Sequence, residues 1–279
     1  MNNVIYLIID SARYDTFAAA RTPAFDNLGK AERRFSFASW TSPSHFVYLM
    51  GMTPHASPVG VFASEVYKQD YRQWATRVGD EKINMEYFLP EFSLPKFFKG
   101  LGYRTHARVS MPIINQTTIL SQHFDTYKLM PRYDDFESMV GEIGFSPAAP
   151  SFYFLNVGEA HYPYRIPKEE LPSLNGDGGV FRRNGDPAAE IAPVTGGEAM
   201  AERFFNTKHL RLFRERQIQA IEHVDALMGR LLAKCPAGTH VLVTSDHGEL
   251  FGEAGYFGHG PIMHEKCFEV PFFEGRRPG

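Results

Sequence analysis

The chain has 279 residues, enough for one large domain or at most two small ones. It is 43% hydrophobic and 22% charged with a net charge of −3, a balance that gives no basis for a nucleic-acid or membrane-surface partner. Its two cysteines, Cys235 and Cys267, lie outside any Cys-x-x-Cys pair, so no disulfide framework is expected and a cytoplasmic location is the simplest expectation.

Val4 to Ile9 is a continuous β-branched and aromatic run, the pattern of a strand covered on both faces. It is far too short to span a bilayer, and it ends in Asp10 without a basic leader or a small-residue cleavage site, so neither a membrane span nor a secretory signal is expected. At Trp40-Thr41-Ser42-Pro43-Ser44-His45, Ser42 suits an N-cap and Pro43 the first helical position, which predicts a helix running through Phe46, Val47 and Leu49. Ser93 to Leu101 reads as a shorter helix stopped by Gly102, followed by a weaker strand from Tyr103 to Val109. Ser151 to Val157 is a second buried strand, ending at Gly158-Glu159.

Residues 172–197 are rich in Gly, Pro, Asn and Asp and read as a long surface loop or lid. From about Glu202 to Lys234, Phe205, Leu210, Phe213, Ile218, Ile221, Val224, Leu227 and Leu231 form one helical apolar stripe. His240 to Thr244 is a third buried strand, ending at Ser245-Asp246-His247-Gly248. Strands separated by helices imply an α/β fold, a three-layer sandwich with a largely parallel central sheet. With no internal repeat or linker, one domain over residues 1–279 is expected.

Three features carry chemistry. Asp10 and Asp246-His247 close two strands, and ligands of open α/β sheets bind beyond the carboxyl ends of strands. Two carboxylates and an imidazole suit Zn²⁺ or Mn²⁺ more than Ca²⁺ or Mg²⁺. Alone, Asp10 reads more simply as a turn or capping residue. Thr41 would sit just outside a helix N-terminus, where free N–H groups favour an anion, although a threonine hydroxyl needs metal activation to act as a nucleophile. Alone, that segment is an ordinary helix start. In Gly258-His259-Gly260, glycines could bring one imidazole close to a ligand, with an exposed turn histidine as the plainer alternative.

Taken in order, these blocks resemble the signatures of the sulfatase-like branch of the alkaline phosphatase superfamily. Ser93 to Thr105, His161-Tyr162-Pro163-Tyr164 and Ile221-Glu222-His223-Val224-Asp225 resemble further segments, so the likeness spans nearly the whole chain. The resemblance implies an alkaline-phosphatase-like fold, a divalent metal held by Asp10, Asp246 and His247, and Thr41 as a nucleophile touching that metal. It makes His161 and His259 candidates for substrate contact or leaving-group protonation. Arg13, His45 and Tyr164 become candidates for substrate binding. A second metal site could draw on Glu159, His161 and His259, although one tightly held metal is the expectation.

The sequence also departs from the family. Thr41 stands where sulfatases have a cysteine oxidised to formylglycine, and the β-methyl of threonine prevents that conversion. Ser11 replaces a second Asp, and His45 replaces the usual Arg. The chain ends soon after Val270-Pro271-Phe272-Phe273, as expected of a minimal version. The expected activity is metal-dependent hydrolysis of a small anionic phosphate-type ester (phosphodiester, phosphomonoester or phosphonate) through a covalent Thr41 intermediate. Group transfer to a small metabolite, sulfuric-ester hydrolysis and a non-catalytic metal-binding role remain alternatives, and the oligomeric state is left open.

Overall fold

A computed structural model describes residues 1–51, 93–164 and 207–277, together with positions 72, 76 and 77. The expected loop or lid at 172–197 and the start of the long helix at 202–206 lie outside the described residues. The main sheet has seven strands in the order β2-β9-β6-β1-β5-β3-β4. These are β1 (Val4–Ile9), β2 (Glu32–Phe35), β3 (Arg104–Val109), β4 (Thr126–Leu129), β5 (Ser151–Val157), β6 (His240–Thr244) and β9 (Glu269–Arg276). β1 pairs in parallel with β5 and β6, and β3 with β4 and β5. β9 and then β2 add an antiparallel edge. A small hairpin of β7 (Leu250–Phe251) and β8 (Phe257–Gly258) follows β6.

The period-two alternation of strand side chains assigns the two faces. Ile5, Leu7 and Ile9 of β1, Tyr153, Leu155 and Val157 of β5, and Val241 and Val243 of β6 belong to one core. Four helices cover it: α1 (Tyr14–Ala19), α2 (Pro23–Asp26), α5 (Phe136–Glu142) and the long α6 (Thr207–Lys234). Val4 and Ile8 of β1 and Phe152 and Phe154 of β5 point the other way, under α3 (Thr41–Met50) and α4 (Leu94–Gly100). The architecture is the expected three-layer α/β sandwich.

The strand expectations for Val4–Ile9, Ser151–Val157 and His240–Thr244 match residue for residue. Ser93 caps α4 by accepting from the Lys96 amide, and the left-handed Gly102 follows that helix. α3 starts two residues earlier than expected: Trp40, not Ser42, is the N-cap, so Thr41 is the first helical residue and not the one outside. Among the described residues no helix is long and apolar enough to cross a membrane.

Parallel register positions the site. Ile8 lies opposite Thr244, so Asp10 and Asp246, each two residues further on, leave adjacent strands at the same level. Ile9 lies opposite Val157, which brings the loop from Gly158 to His161 beside them. The β6 loop is held close to the last helix, α7 (Glu265–Phe268): the Gly248 amide donates to Cys267 O, and a Cβ at Gly248 would stand 2.1 Å from Lys266 O.

Glu159, expected as a second-metal ligand, is turned away from that loop cluster. Its Oε1 accepts from the Phe136 amide at 2.7 Å, which satisfies the first amide of α5. Its side chain is buried, and burial, together with Asp134 and Asp135, pushes its carboxyl up to about 7 against the opposing amide bond. One oxygen of this carboxylate thus serves a helix end, while the other, Oε2, is buried without a hydrogen-bond partner.

Two stability predictions follow from these contacts. Gly248→Ala must displace backbone, so urea unfolding should lose about 1–3 kcal/mol, and an unchanged midpoint would show that no such close approach exists. For Glu159 the folded state binds the proton more tightly than the unfolded chain, so the cost of burying it grows as pH rises through about 7. Glu159→Gln should therefore differ little from the parent at pH 5 and be more stable by about 3 kcal/mol at pH 8. A stability difference that does not change with pH would refute the buried-acid account.

Candidate metal centre and nucleophile

Asp10, Asp246 and His247 are fully buried, and one ligand atom from each lies within 4.8 Å of the others. Hydrogen bonds fix each group. Asp246 Oδ1 accepts from the Ser11 amide at 3.1 Å and from the His247 amide at 3.0 Å. Asp10 accepts from Asn156 Nδ2 at 3.2 Å and from Ser11 Oγ at 3.1 Å. His247 donates from Nδ1 to Gly248 O at 2.8 Å, which leaves its lone pair on Nε2.

That lone pair faces oxygen. His247 Nε2 lies 3.4 Å from Asp246 Oδ2 and 3.9 Å from Asp10 Oδ1. Asp246 Oδ2 is buried and has no hydrogen-bond partner. Burial, then the Asp10 carboxylate, pushes the Asp246 carboxyl well above its ordinary value. Burial also opposes ionisation of Asp10, but His161, His247, His259 and His45 outweigh it and hold its carboxyl low. Burial, with His259 beside it, pushes His247 well below the usual imidazole range. Two buried carboxylates and one imidazole converging within 4.8 Å make a donor set that fits Zn²⁺ or Mn²⁺.

Thr41 is next to this set. It is buried, and its Oγ1 lies 3.3 Å from His247 Nε2. His161 and His259 line the same space, with ring centroids 5.0 Å apart, and the His259 ring is 4.2 Å from that of His247. His161 donates from Nδ1 to Tyr162 O at 2.6 Å, and His259 Nδ1 lies 3.6 Å from Glu249 Oε2. The structure thus gathers Asp10, Thr41, His161, Asp246, His247 and His259.

The three expected substrate binders are buried against protein partners. Arg13 is buried and spends its guanidinium on Asp15, on Glu253 and on Glu249 O, with its face over the Phe251 ring. Tyr164 is fully buried and donates its hydroxyl to Glu249 Oε1. His45 is fully buried, donates from Nδ1 to Thr41 O at 2.8 Å and packs edge-on against Phe154. These side chains shape the site from behind.

Two buried residues in this region were not singled out from the sequence. Glu249 accepts from Tyr164 and from Gln217, and Gln217 is fully buried on α6, far away in the chain. Glu249 lies inside the Asp-His block and could have been flagged by proximity. Gln217 gives no sequence signal beyond a polar residue on the apolar stripe of its helix.

Neither a family model nor a curated protein sequence matches the chain. Solved structures do. The C-terminal periplasmic domain of EptC from Escherichia coli, in complex with Zn, superposes with a TM-score of 0.59 at 14% identity, over 99% of this chain and 72% of that one. BT1596, a 2-O GAG sulfatase, gives 0.62 at 14% identity, over 98% of this chain and 64% of that one. The phosphonate monoester hydrolase of Agrobacterium radiobacter gives 0.60 at 14% identity, over 100% and 68%.

The EptC domain is periplasmic, which overturns the cytoplasmic location expected from the cysteine count. Cys235 and Cys267 are both buried as free thiols, and a thiol shielded from oxidant carries no information about compartment. The order of the sheet, the two-sided helical cover and these neighbours together place the chain in the fold of the alkaline phosphatase and sulfatase superfamily.

Proposed function

We propose that the chain is a metal-dependent hydrolase of small anionic phosphate-type esters, working through a covalent ester on Thr41. The observation that carries the reading is the buried pair of acceptor atoms, Asp246 Oδ2 without a hydrogen-bond partner and His247 Nε2, directly beside the Thr41 hydroxyl. The Zn held by the EptC domain and the hydrolase named for the Agrobacterium structure support it. Threonine in place of cysteine favours phosphorus over the formylglycine route to sulfate esters.

Asp10, Asp246, His247 and the Thr41 hydroxyl would hold one divalent ion, Zn²⁺ or Mn²⁺. Bound there, it supplies Lewis acidity to lower the hydroxyl pKa and to neutralise a transferring oxygen. Thr41 Oγ1 forms the new bond to phosphorus as the ester oxygen departs. The hydroxyl proton ends on the leaving alcohol, with His161 and His259 within reach of the same space to carry it. Water then cleaves the Thr41 ester. His45, bonded to the Thr41 carbonyl, holds the first turn of α3 so that Oγ1 keeps facing His247. Asn156 and the Ser11 amide keep the two carboxylates oriented.

The test is turnover of aryl phosphate monoesters, phosphodiesters, phosphonate monoesters and sulfate esters with Zn²⁺ or Mn²⁺, with chelator, and with Thr41→Ala. Chelation should abolish activity, and Thr41→Ala should lower kcat by about a thousandfold or more while the protein still binds metal. Turnover in Thr41→Ala equal to that of the parent would remove the covalent intermediate. Turnover that requires an added acceptor alcohol would identify a transferase.

A further inference from the structure

The three loops that build the site leave different strands, and one amide joins them. Gln217 is fully buried on α6. Its Nε2 lies 3.0 Å from Ser11 O after β1, 3.1 Å from Ala160 O after β5, and 3.0 Å from Glu249 Oε1 after β6. Its Oε1 accepts from the Thr16 hydroxyl at 2.6 Å. The amide cannot be turned the other way. Two of its three Nε2 partners are backbone carbonyls, which only accept, so that end must be the donor.

Each bonded atom is one or a few residues from the candidate chemistry: Ser11 follows Asp10, Ala160 precedes His161, and Glu249 lies two residues beyond His247. Glu249 passes the constraint on. Its Oε1 is held by Gln217 and Tyr164, and its Oε2, buried without a hydrogen bond, stands 3.6 Å from His259 Nδ1. The amide of Gln217 therefore ties three loops together and holds Glu249 in place beside His259.

We propose that Gln217 is a positioning residue: its buried amide locks the loops after β1, β5 and β6 into the relative geometry that the metal centre and His259 require. The inference leans on the proposed ester chemistry for its kinetic consequence alone. Its structural content concerns how the three loops are held.

The test is Gln217→Met, which keeps length and volume but removes every hydrogen bond, with Gln219→Met as the control on the exposed side of the same helix turn. Hydrogen exchange is read at the amides of Ser11, His161 and Gly248, which are bonded to Asp246, Gly158 and Cys267. Exchange should rise about tenfold at all three together and stay unchanged through the rest of α6. Zn²⁺ affinity by calorimetry should weaken about tenfold, and kcat should fall while KM stays within about threefold.

Thr16→Val, which withdraws the hydroxyl shared between Gln217 Oε1 and Arg13 O and leaves all three Nε2 bonds, should move the same three amides in the same direction and less, giving a second measurement if Gln217→Met folds poorly. Exchange and Zn²⁺ affinity within about twofold of the parent in Gln217→Met would overturn the proposal and leave Gln217 as core filling. If the parent binds Zn²⁺ but cleaves no ester, the proposed reaction falls while loop exchange and metal affinity still decide the role of Gln217. If it binds no Zn²⁺, loop exchange alone decides it.

Discussion

Two carboxylates and an imidazole lone pair meet where water does not reach, and the rest of the site is arranged around that conflict. Burying one unpaired carboxylate costs several kcal/mol, and a second beside it adds repulsion. Register gives neither residue a way out: β1 and β6 are neighbours in parallel, with Ile8 opposite Thr244, so both chains turn off the sheet at the same height. Backbone amides of Ser11 and His247 satisfy one Asp246 oxygen, and Asn156 serves Asp10. The other Asp246 oxygen is left facing His247, and the divalent ion proposed above would turn this cost into a stabilising interaction.

A dry site of this kind needs its outer polar groups paired, because an orphaned donor near it would compete for the same oxygens. Arg13 illustrates how the fold meets that need. Its charge lies close behind the site, yet Asp15 and Glu253 neutralise it and the Phe251 ring covers its face. Asp15 and Arg13 hold each other's ionised forms, since the bonds between them outweigh the burial of both groups. Tyr164 and Gln217 donate hydrogen bonds to one oxygen of Glu249. The result is a shell in which hydrogen-bonding capacity is spent on geometry, and only the groups around Thr41 face the reacting space.

What could be read from the sequence was what short-range pattern encodes. The three central strands are unbroken apolar runs, and the residue type changes sharply where each one ends, so Asp10 and Asp246 stood out as strand-end carboxylates. Thr41 stood out through the Ser42-Pro43 helix start, misplaced by two residues because Trp40 supplies the cap by backbone conformation and not by its side chain. The antiparallel edge was hidden: β9 contains Pro271, which cannot donate to a ladder, and every residue of the four-residue β2 is exposed. The protein partners of Arg13, His45 and Tyr164 were hidden for a different reason. Charge and aromaticity near a motif indicate proximity, but whether a guanidinium faces substrate or a buried partner depends on residues such as Glu253, about 240 positions away.

The choice of threonine also has a physical basis in this geometry. A β-branched side chain has few χ1 options in a helix, so at the first position of α3 the backbone largely sets where Oγ1 points. That backbone is itself pinned by His45, four residues on, which bonds the Thr41 carbonyl from the same face of the helix. Serine would keep the hydroxyl but gain rotamers that aim it away from His247, and the entropy of fixing it would be lost each time it reacted. The methyl group and the His45 bond therefore act together: one limits rotation about χ1, the other fixes the turn from which χ1 is measured. For the nucleophile proposed above, direction would thus be built in before a substrate arrives, which is how a weak hydroxyl gains most from an ion beside it.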